Sequence, residues 1–203
     1  MSIYESHMKL DTVYQLQCMN EIMREQIKTY NIESIAILGV AGGNGLEHVN
    51  LKKHHKVYGI DINDDYLNSC KSRYYDMQDK LMLLSRDLLD LSIDLPKAEL
   101  VIANLFLEYI GLDIFTFQLK KMSPEYVSAV IQVNDGEGFV SESPYHNAFD
   151  CLESVYHEIN SKALTDAMNE IGFTLILDIE TELPNKKKLK RQDYKKRTKA
   201  GAD

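Results

Sequence analysis

Apolar residues recur at helical spacing at Val13, Leu16, Met19, Met23 and Ile27, in a stretch without glycine or proline. The pattern predicts an amphipathic helix over about residues 11 to 29. From Ser34 the texture changes to short apolar runs: SIAIL, KVYGI, LMLLS, ELVIA, VSAVIQV and FTLILDI. Most are apolar on both faces, which suits strands buried between two helical layers. The segments between them predict helices near 45 to 53, 64 to 76, 110 to 121 and 159 to 171. Strands alternating with helices imply a doubly wound α/β sheet, with right-handed crossovers placing helices on both faces. Gly172 ends the last of these helices before the strand at Phe173. The segment ETELPNKKKLKRQDYKK predicts a final antiparallel strand after Pro184, its Lys and Arg residues lying on an exposed edge where they discourage edge pairing. Residues 135 to 150 form the one long irregular stretch, the place for a binding loop.

The chain has 203 residues, 44% apolar and 27% charged, enough to bury one complete core, and it shows no repeat or low-complexity linker. The expected division is an N-terminal helical segment over residues 1 to 32, acting as a lid or packing on the sheet edge, and one globular domain over residues 33 to 203. Glu5, His7 and Lys9 interrupt the opening segment, and no run of apolar residues is long enough to span a bilayer. A soluble, cytoplasmic protein with no membrane partner is expected. Cys18, Cys70 and Cys151 are odd in number and far apart, so buried free thiols are expected rather than disulfides or a zinc site. His54 and His55 are adjacent and no HExxH pattern occurs, so no metal is expected. The net charge of -8 is uneven: residues 186 to 203 carry nine Lys or Arg against Asp193 and Asp203, a local +7, leaving -15 for the body. The acidic body argues against a broad nucleic-acid surface, while the basic tail reads as a solvated charge run that could touch phosphates.

The segment Ile35 to Val49 runs from a buried strand through Gly39, Gly42, Gly43 and Gly45 into a predicted helix. Glycines there allow unusual dihedrals and let a ligand approach the backbone. The next strand, KVYGI, ends at Asp61, where a carboxylate can accept from both hydroxyls of a ribose. Loop and acid together specify a nucleoside ligand. A dinucleotide fingerprint from Gly43 would need a small residue where His48 stands, and the Gly-Lys-Ser or Gly-Lys-Thr ending of a phosphate-binding loop is absent.

The segments GVAGGNG, GIDIN, SRDLLDL and ELVIANLFLEYI, in that order, resemble the signature segments of the class I S-adenosylmethionine-dependent methyltransferases, of the small, single-domain bacterial type. The resemblance covers about residues 33 to 182. It implies a Rossmann-like sheet of seven strands, mostly parallel with the last antiparallel, preceded by an N-terminal helix. It implies S-adenosylmethionine as cofactor, with Gly39, Ala41, Gly43 and Gly45 around its methionine portion, Asp61 on the ribose and Ile62 on the adenine ring. Asp87, which alone reads as a helix cap or a surface acid, becomes the acceptor for the adenine amino group, with Leu88 beside it. Asn104 falls beside the methionine part and the transferring methyl. Two departures stand out: Gly39 occupies a position usually acidic, and Ala41 replaces a glycine, which requires a negative φ of it.

Methyl transfer is an in-line displacement from an activated donor, so alignment is the main task and a general base helps when the acceptor is oxygen or nitrogen. Glu108, Tyr109 and His146 are the candidates; Glu108 and Tyr109 follow the fourth strand and also read as a helix start, and His146 also reads as a solvated loop residue. Tyr145 is a further candidate to line the acceptor site. The expected acceptor is a small molecule. The alternatives are an RNA-modifying methyltransferase using the basic tail, a non-catalytic nucleoside-binding module of the same fold and, more distantly, an NAD-dependent oxidoreductase.

Overall fold

A computed structural model of the protein describes residues 10–133 and 157–198. His146, Tyr145, Cys151 and the irregular stretch after residue 134 lie outside the described residues. The elements run in the order α1 (Gln15–Thr29), β1 (Ser34–Leu38), β2 (Lys56–Asp61), α2 (Asp64–Arg73), β3 (Leu81–Ser85), β4 (Leu100–Asn104), α3 (Leu107–Met122), β5 (Tyr126–Val133), α4 (Ser161–Glu170), β6 (Phe173–Glu182) and β7 (Lys188–Lys196). The strands form one seven-stranded sheet ordered β3-β2-β1-β4-β5-β7-β6. The first five are parallel, and β7 is antiparallel to both its neighbours.

Alternation of side chains along β1 sends Ile35 and Ile37 to one face and Ala36 and Leu38 to the other. On the first face they pack with Met23 and Ile27 of α1 and with Leu67 and Cys70 of α2. On the second, Leu107, Phe115 and Leu119 of α3 and Leu164 and Met168 of α4 complete the larger core. Full burial of one such side chain stabilises the fold by about 1.5–3 kcal/mol. Asn63 caps α2 by accepting from the backbone N–H groups of Asp65 and Tyr66, and Asn160 caps α4 in the same way through Ala163. Gly172, at φ 90°, ends α4.

Several expectations are corrected. The helix expected over 45 to 53 shrinks to a single 3-10 turn at Leu46–His48. The Asn50 side chain accepts from the Lys52 N–H at 3.0 Å and its carbonyl accepts from the His54 N–H at 2.7 Å, a local turn that competes with helix propagation. The strand in the basic terminal segment is not an exposed edge, and only its end, at Lys195, Lys196 and Arg197, is solvated. β7 lies inside the sheet between β5 and β6, so pairing on both sides buries its backbone. Its cations are spent on partners: Lys188 on Glu180 at 3.2 Å, Lys190 on Asp178 at 3.0 Å, Arg191 on Asp193 at 2.5 Å and Lys195 on Glu125 at 3.7 Å. The exposed edges are β3 and β6, and β6 shows Ile176 and Ile179 to solvent instead of being apolar and covered on both faces. Cys70 is buried with its thiol pushed up to about 11 by burial, whereas Cys18 is only half-buried.

Candidate active site

Strand order reverses direction between β1 and β4, since β2 lies on one side of β1 and β4 on the other. Loops leaving the carboxyl ends of two such strands diverge and open a crevice between them. A cavity of about 480 Å³ lies there, within the range of small-molecule sites. Gly39, Ala41 and Asn44 come from the loop after β1; Asp61, Ile62 and Asn63 follow β2; Asn104, Leu105 and Phe106 follow β4. Gln15, Leu16, Met19 and Met23 form a wall from α1.

Asp61 is the hinge of this arrangement. Its Oδ2 accepts from the Ala41 N–H at 2.9 Å and its Oδ1 from the Asn63 N–H at 2.9 Å. A carboxylate has about four lone-pair sites, so acceptor capacity remains on both oxygens. The loop it holds is strained. Ala41 stands at φ 46°, correcting the negative φ expected of it. The hydrogen bond to Asp61 and the tight turn after Gly39 hold it there, and a left-handed alanine costs about 1–2 kcal/mol. Leu105, at φ 52°, is a second strained residue on the same cavity. Non-glycine residues in this conformation cluster where function over-determines the backbone. Gly39, at φ 71°, has the Phe106 ring where a Cβ would stand, so no side chain fits at that position.

The wall contributed by α1 is tied to the glycine loop. Asn20 donates to Asn44 Oδ1 at 2.9 Å and to Glu47 Oε1 at 2.6 Å, and its own Oδ1 lies 2.8 Å from His48 Nε2. Asn44 donates in turn to the Leu16 carbonyl at 2.9 Å. Burial works to raise the Glu47 carboxyl, but the donors Asn20 and Tyr74 outweigh it and hold it below the usual range. His48, too large for a dinucleotide loop, thus serves to clasp the first helix.

No family model matches the chain, and no curated relative matches it. Solved structures do. The N-methyltransferase NodS from Bradyrhizobium japonicum WM9, in complex with S-adenosyl-l-homocysteine, is 11% identical, with 96% of each chain covered and a TM-score of 0.66. A putative S-adenosylmethionine-dependent methyltransferase from Listeria monocytogenes is 16% identical, with 88% of this chain and 97% of that one covered at a TM-score of 0.63. The [4+2]-cyclase SpnF is 8% identical over 90% of this chain and 82% of that one, at a TM-score of 0.67. Strand order, the antiparallel β7 and these superpositions agree. The chain has the class I methyltransferase fold.

Within this methyltransferase fold, the residues expected at the site divide. Gly39, Ala41, Asp61, Ile62, Asn104 and Tyr109 line the cavity. Gly43 and Gly45 do not: a Cβ on Gly43 would meet Cys70 and Tyr74, and one on Gly45 would meet Met23. They let the loop pack against α2 and α1. Asp87 is exposed and accepts from the Leu89 N–H at 2.9 Å, while Leu88 is buried in the core; neither lines the cavity. Glu108 is buried away from it, with Oε1 accepting from the Gln132 N–H at 3.0 Å and Oε2 unpartnered among the described residues. Burial pushes its carboxyl up to about 7, against the pull of that N–H. His146 lies outside the described residues.

Residues not anticipated include Gln15, Leu16, Met19, Met23, Asn44, Asn63, Tyr66, Leu105 and Phe106. Met19 and Met23 were visible as a helical stripe, yet nothing in periodicity says that part of a stripe faces a cavity instead of a core. Asn63 closes the GIDIN segment, and an Asn just before a helical run signals a cap. Phe106 had no signal, because its meeting with Gly39 joins segments far apart in sequence.

Proposed function

We propose that the protein is an S-adenosylmethionine-dependent methyltransferase acting on a small-molecule acceptor. The observation that carries the reading is Asp61, whose carboxylate keeps acceptor capacity at the cavity while tied to the Ala41 N–H of the glycine loop. A ribose diol suits that capacity. Ile62, 65% exposed beside Asp61, offers an apolar surface for the flat face of a base, which explains an isoleucine in water. The apolar wall of Leu16, Met19 and Met23 suits an aliphatic chain. Asp87 and Leu88 hold the segment after β3 as an Asx turn and a core anchor, and we assign the adenine edge to that segment.

When bound, S-adenosylmethionine supplies an activated methyl group that an acceptor lone pair can take in line. The chain's own task is then alignment and exclusion of water. α1 walls one side of the cavity, and Phe106 and Tyr109 stand at the β4 end. Tyr109 is the described candidate that can orient an acceptor. We read Glu108 as a support for the β5 backbone behind it, and His146 stays a candidate base.

Calorimetric titration of S-adenosylmethionine and S-adenosylhomocysteine into the wild type and Asp61→Ala tests the reading. Micromolar binding, about -8 kcal/mol, weakened at least tenfold by the substitution, supports it, and an acceptor screen scored by S-adenosylhomocysteine formation follows. No binding of either ligand overturns it. The fold also serves SpnF, a [4+2]-cyclase by name, so the fold by itself does not fix methyl transfer, and a second reading is a module in which the nucleoside is held and never consumed. Binding without turnover across the screen is its signature. The RNA reading keeps fewer cations than the sequence offered, because Lys188, Lys190 and Arg191 are paired within the sheet while Lys186, Lys195, Lys196 and Arg197 stay exposed; tight, salt-dependent RNA binding would favour it.

A further inference from the structure

We propose that the Asn104 side chain presents a carbonyl acceptor to the cavity for a ligand amino group, its amide orientation being dictated by a buried relay that begins at Asp193.

The relay has one consistent direction. Asp193, fully buried on β7, faces the Arg191 guanidinium, with Nε 3.0 Å from Oδ1 and Nη2 2.5 Å from Oδ2. The Tyr30 hydroxyl donates to Oδ2 at 2.7 Å, and the Ser128 hydroxyl donates to Oδ1. A carboxylate so surrounded only accepts. Ser128 has spent its one proton on Asp193, so its oxygen must accept from Gln26 Nε2 at 2.9 Å. That fixes which end of the Gln26 amide is nitrogen. The same nitrogen donates to Asn104 Oδ1 at 2.8 Å, and Gln26 Oε1 accepts from Asn104 Nδ2 at 2.9 Å.

Gln26 and Ser128 are fully buried, so water cannot substitute for either partner and a reversed amide would leave a donor facing a donor. Asn104 Nδ2 spends its other proton on Met23 Sδ at 3.7 Å. What remains to Asn104, among the described residues, is one lone pair of its two on Oδ1. The polarity decided on β7 therefore reaches the cavity as an acceptor.

The placement suits an amino group. Asn104 follows Ala103, which pairs with Leu38, so it sits beside Gly39. Position 39 can offer no side chain because the Phe106 ring occupies that space. Asp61 lies at the end of β2, two strand spacings from β4, or roughly 10 Å. A ligand with its diol at Asp61 would carry its other polar end to Asn104. Gln26, Ser128 and Asp193 are positioning residues in this scheme and touch no ligand themselves.

This inference rests on the cofactor reading above, and the test separates the two. S-adenosylhomocysteine and its analogue lacking the α-amino group are titrated into the wild type, Ser128→Ala and Gln26→Leu. The wild type is expected to prefer the amino-bearing ligand at least tenfold. Either substitution frees the Asn104 amide to turn, and is expected to bring that ratio close to one through weaker S-adenosylhomocysteine binding, the analogue being unaffected. Two variants at different points of the relay guard against one failing to fold. Equal binding of both ligands by the wild type overturns the inference and leaves the cofactor reading intact. Parallel losses of both ligands in the variants also overturn it, since a merely structural role would produce them. Failure of the wild type to bind either ligand overturns the cofactor reading, and this inference with it.

Discussion

The Phe106 ring packs directly over Gly39, the residue at which β1 hands the chain to its glycine loop. The contact joins the carboxyl ends of β1 and β4, and it closes the floor of the cavity between them. A Cβ at position 39 would collide with an aromatic ring that also anchors the start of α3, and the backbone there stands at φ 71°. Gly39→Ala is expected to destabilise the fold by about 1–3 kcal/mol, from overpacking and dihedral strain together. Urea denaturation of the two proteins reads the difference.

Ala41 carries strain of the opposite kind, since here a glycine is missing. Relief of its positive φ is worth about 1–2 kcal/mol, and the greater freedom of glycine in the unfolded chain takes back about 0.4–1 kcal/mol. Ala41→Gly is therefore expected to raise the urea midpoint modestly with an unchanged slope. A lowered midpoint would mean that the alanine methyl makes packing contacts worth more than the strain.

Asp61 joins the loop to β2, and its replacement removes acceptors from two backbone donors at once. Asp61→Ala is expected to lose about 1.5–3 kcal/mol of stability per charged hydrogen bond at most, together with the tenfold or greater loss of ligand affinity. Asp61→Asn, which keeps one carbonyl oxygen, is expected to recover stability more than affinity. Parallel thermal and calorimetric measurements would show the split.

Glu108 makes the protein's stability depend on pH. Its folded-state pKa, about 7, lies above the ordinary carboxylate value of 4.5 because burial disfavours the charged form. Between those values the folded state binds the extra proton, so the contribution is present in full below pH 4.5 and is lost as pH rises through 7. The swing is on the order of 3–4 kcal/mol at most. Glu108→Gln is expected to flatten that fall between pH 5 and pH 8 in urea midpoints. An unchanged slope would place the titration on another group.

Arg191 and Asp193 form a buried pair at 2.5 Å on an internal strand. Arg191→Met leaves the carboxylate uncompensated and is expected to cost about 3–5 kcal/mol. It also removes the cation at the head of the relay to Asn104. Circular dichroism melts of the variant measure the cost; a loss below about 1 kcal/mol would show that Tyr30 and Ser128 suffice to hold the charge.

The chain's local chemistry specified the sheet and the loop. Two-sided apolar runs announced β1, β2, β4 and β5, because a strand covered on both faces leaves unpaired charge no water to solvate it. Gly39 and Asp61 announced the crevice, because only certain residues tolerate those dihedrals or accept from a diol. Tertiary structure decided what depends on neighbours distant in sequence. The Lys and Arg residues of β7 look solvated along the chain, yet β5 and β6 enclose that strand and β6 supplies Asp178 and Glu180 across the ladder. The helix expected after Gly45 gave way to a turn at Asn50, with His48 and Glu47 drawn to Asn20 on α1 instead. Met19 and Met23 continue a stripe that periodicity reads as core, and only the position of β4 turns them toward a cavity. Asn104 could be located from the sequence, but the direction of its amide could not. That direction follows from where a proton on Ser128 must go, and Ser128 meets Asp193 only when β5 and β7 pair.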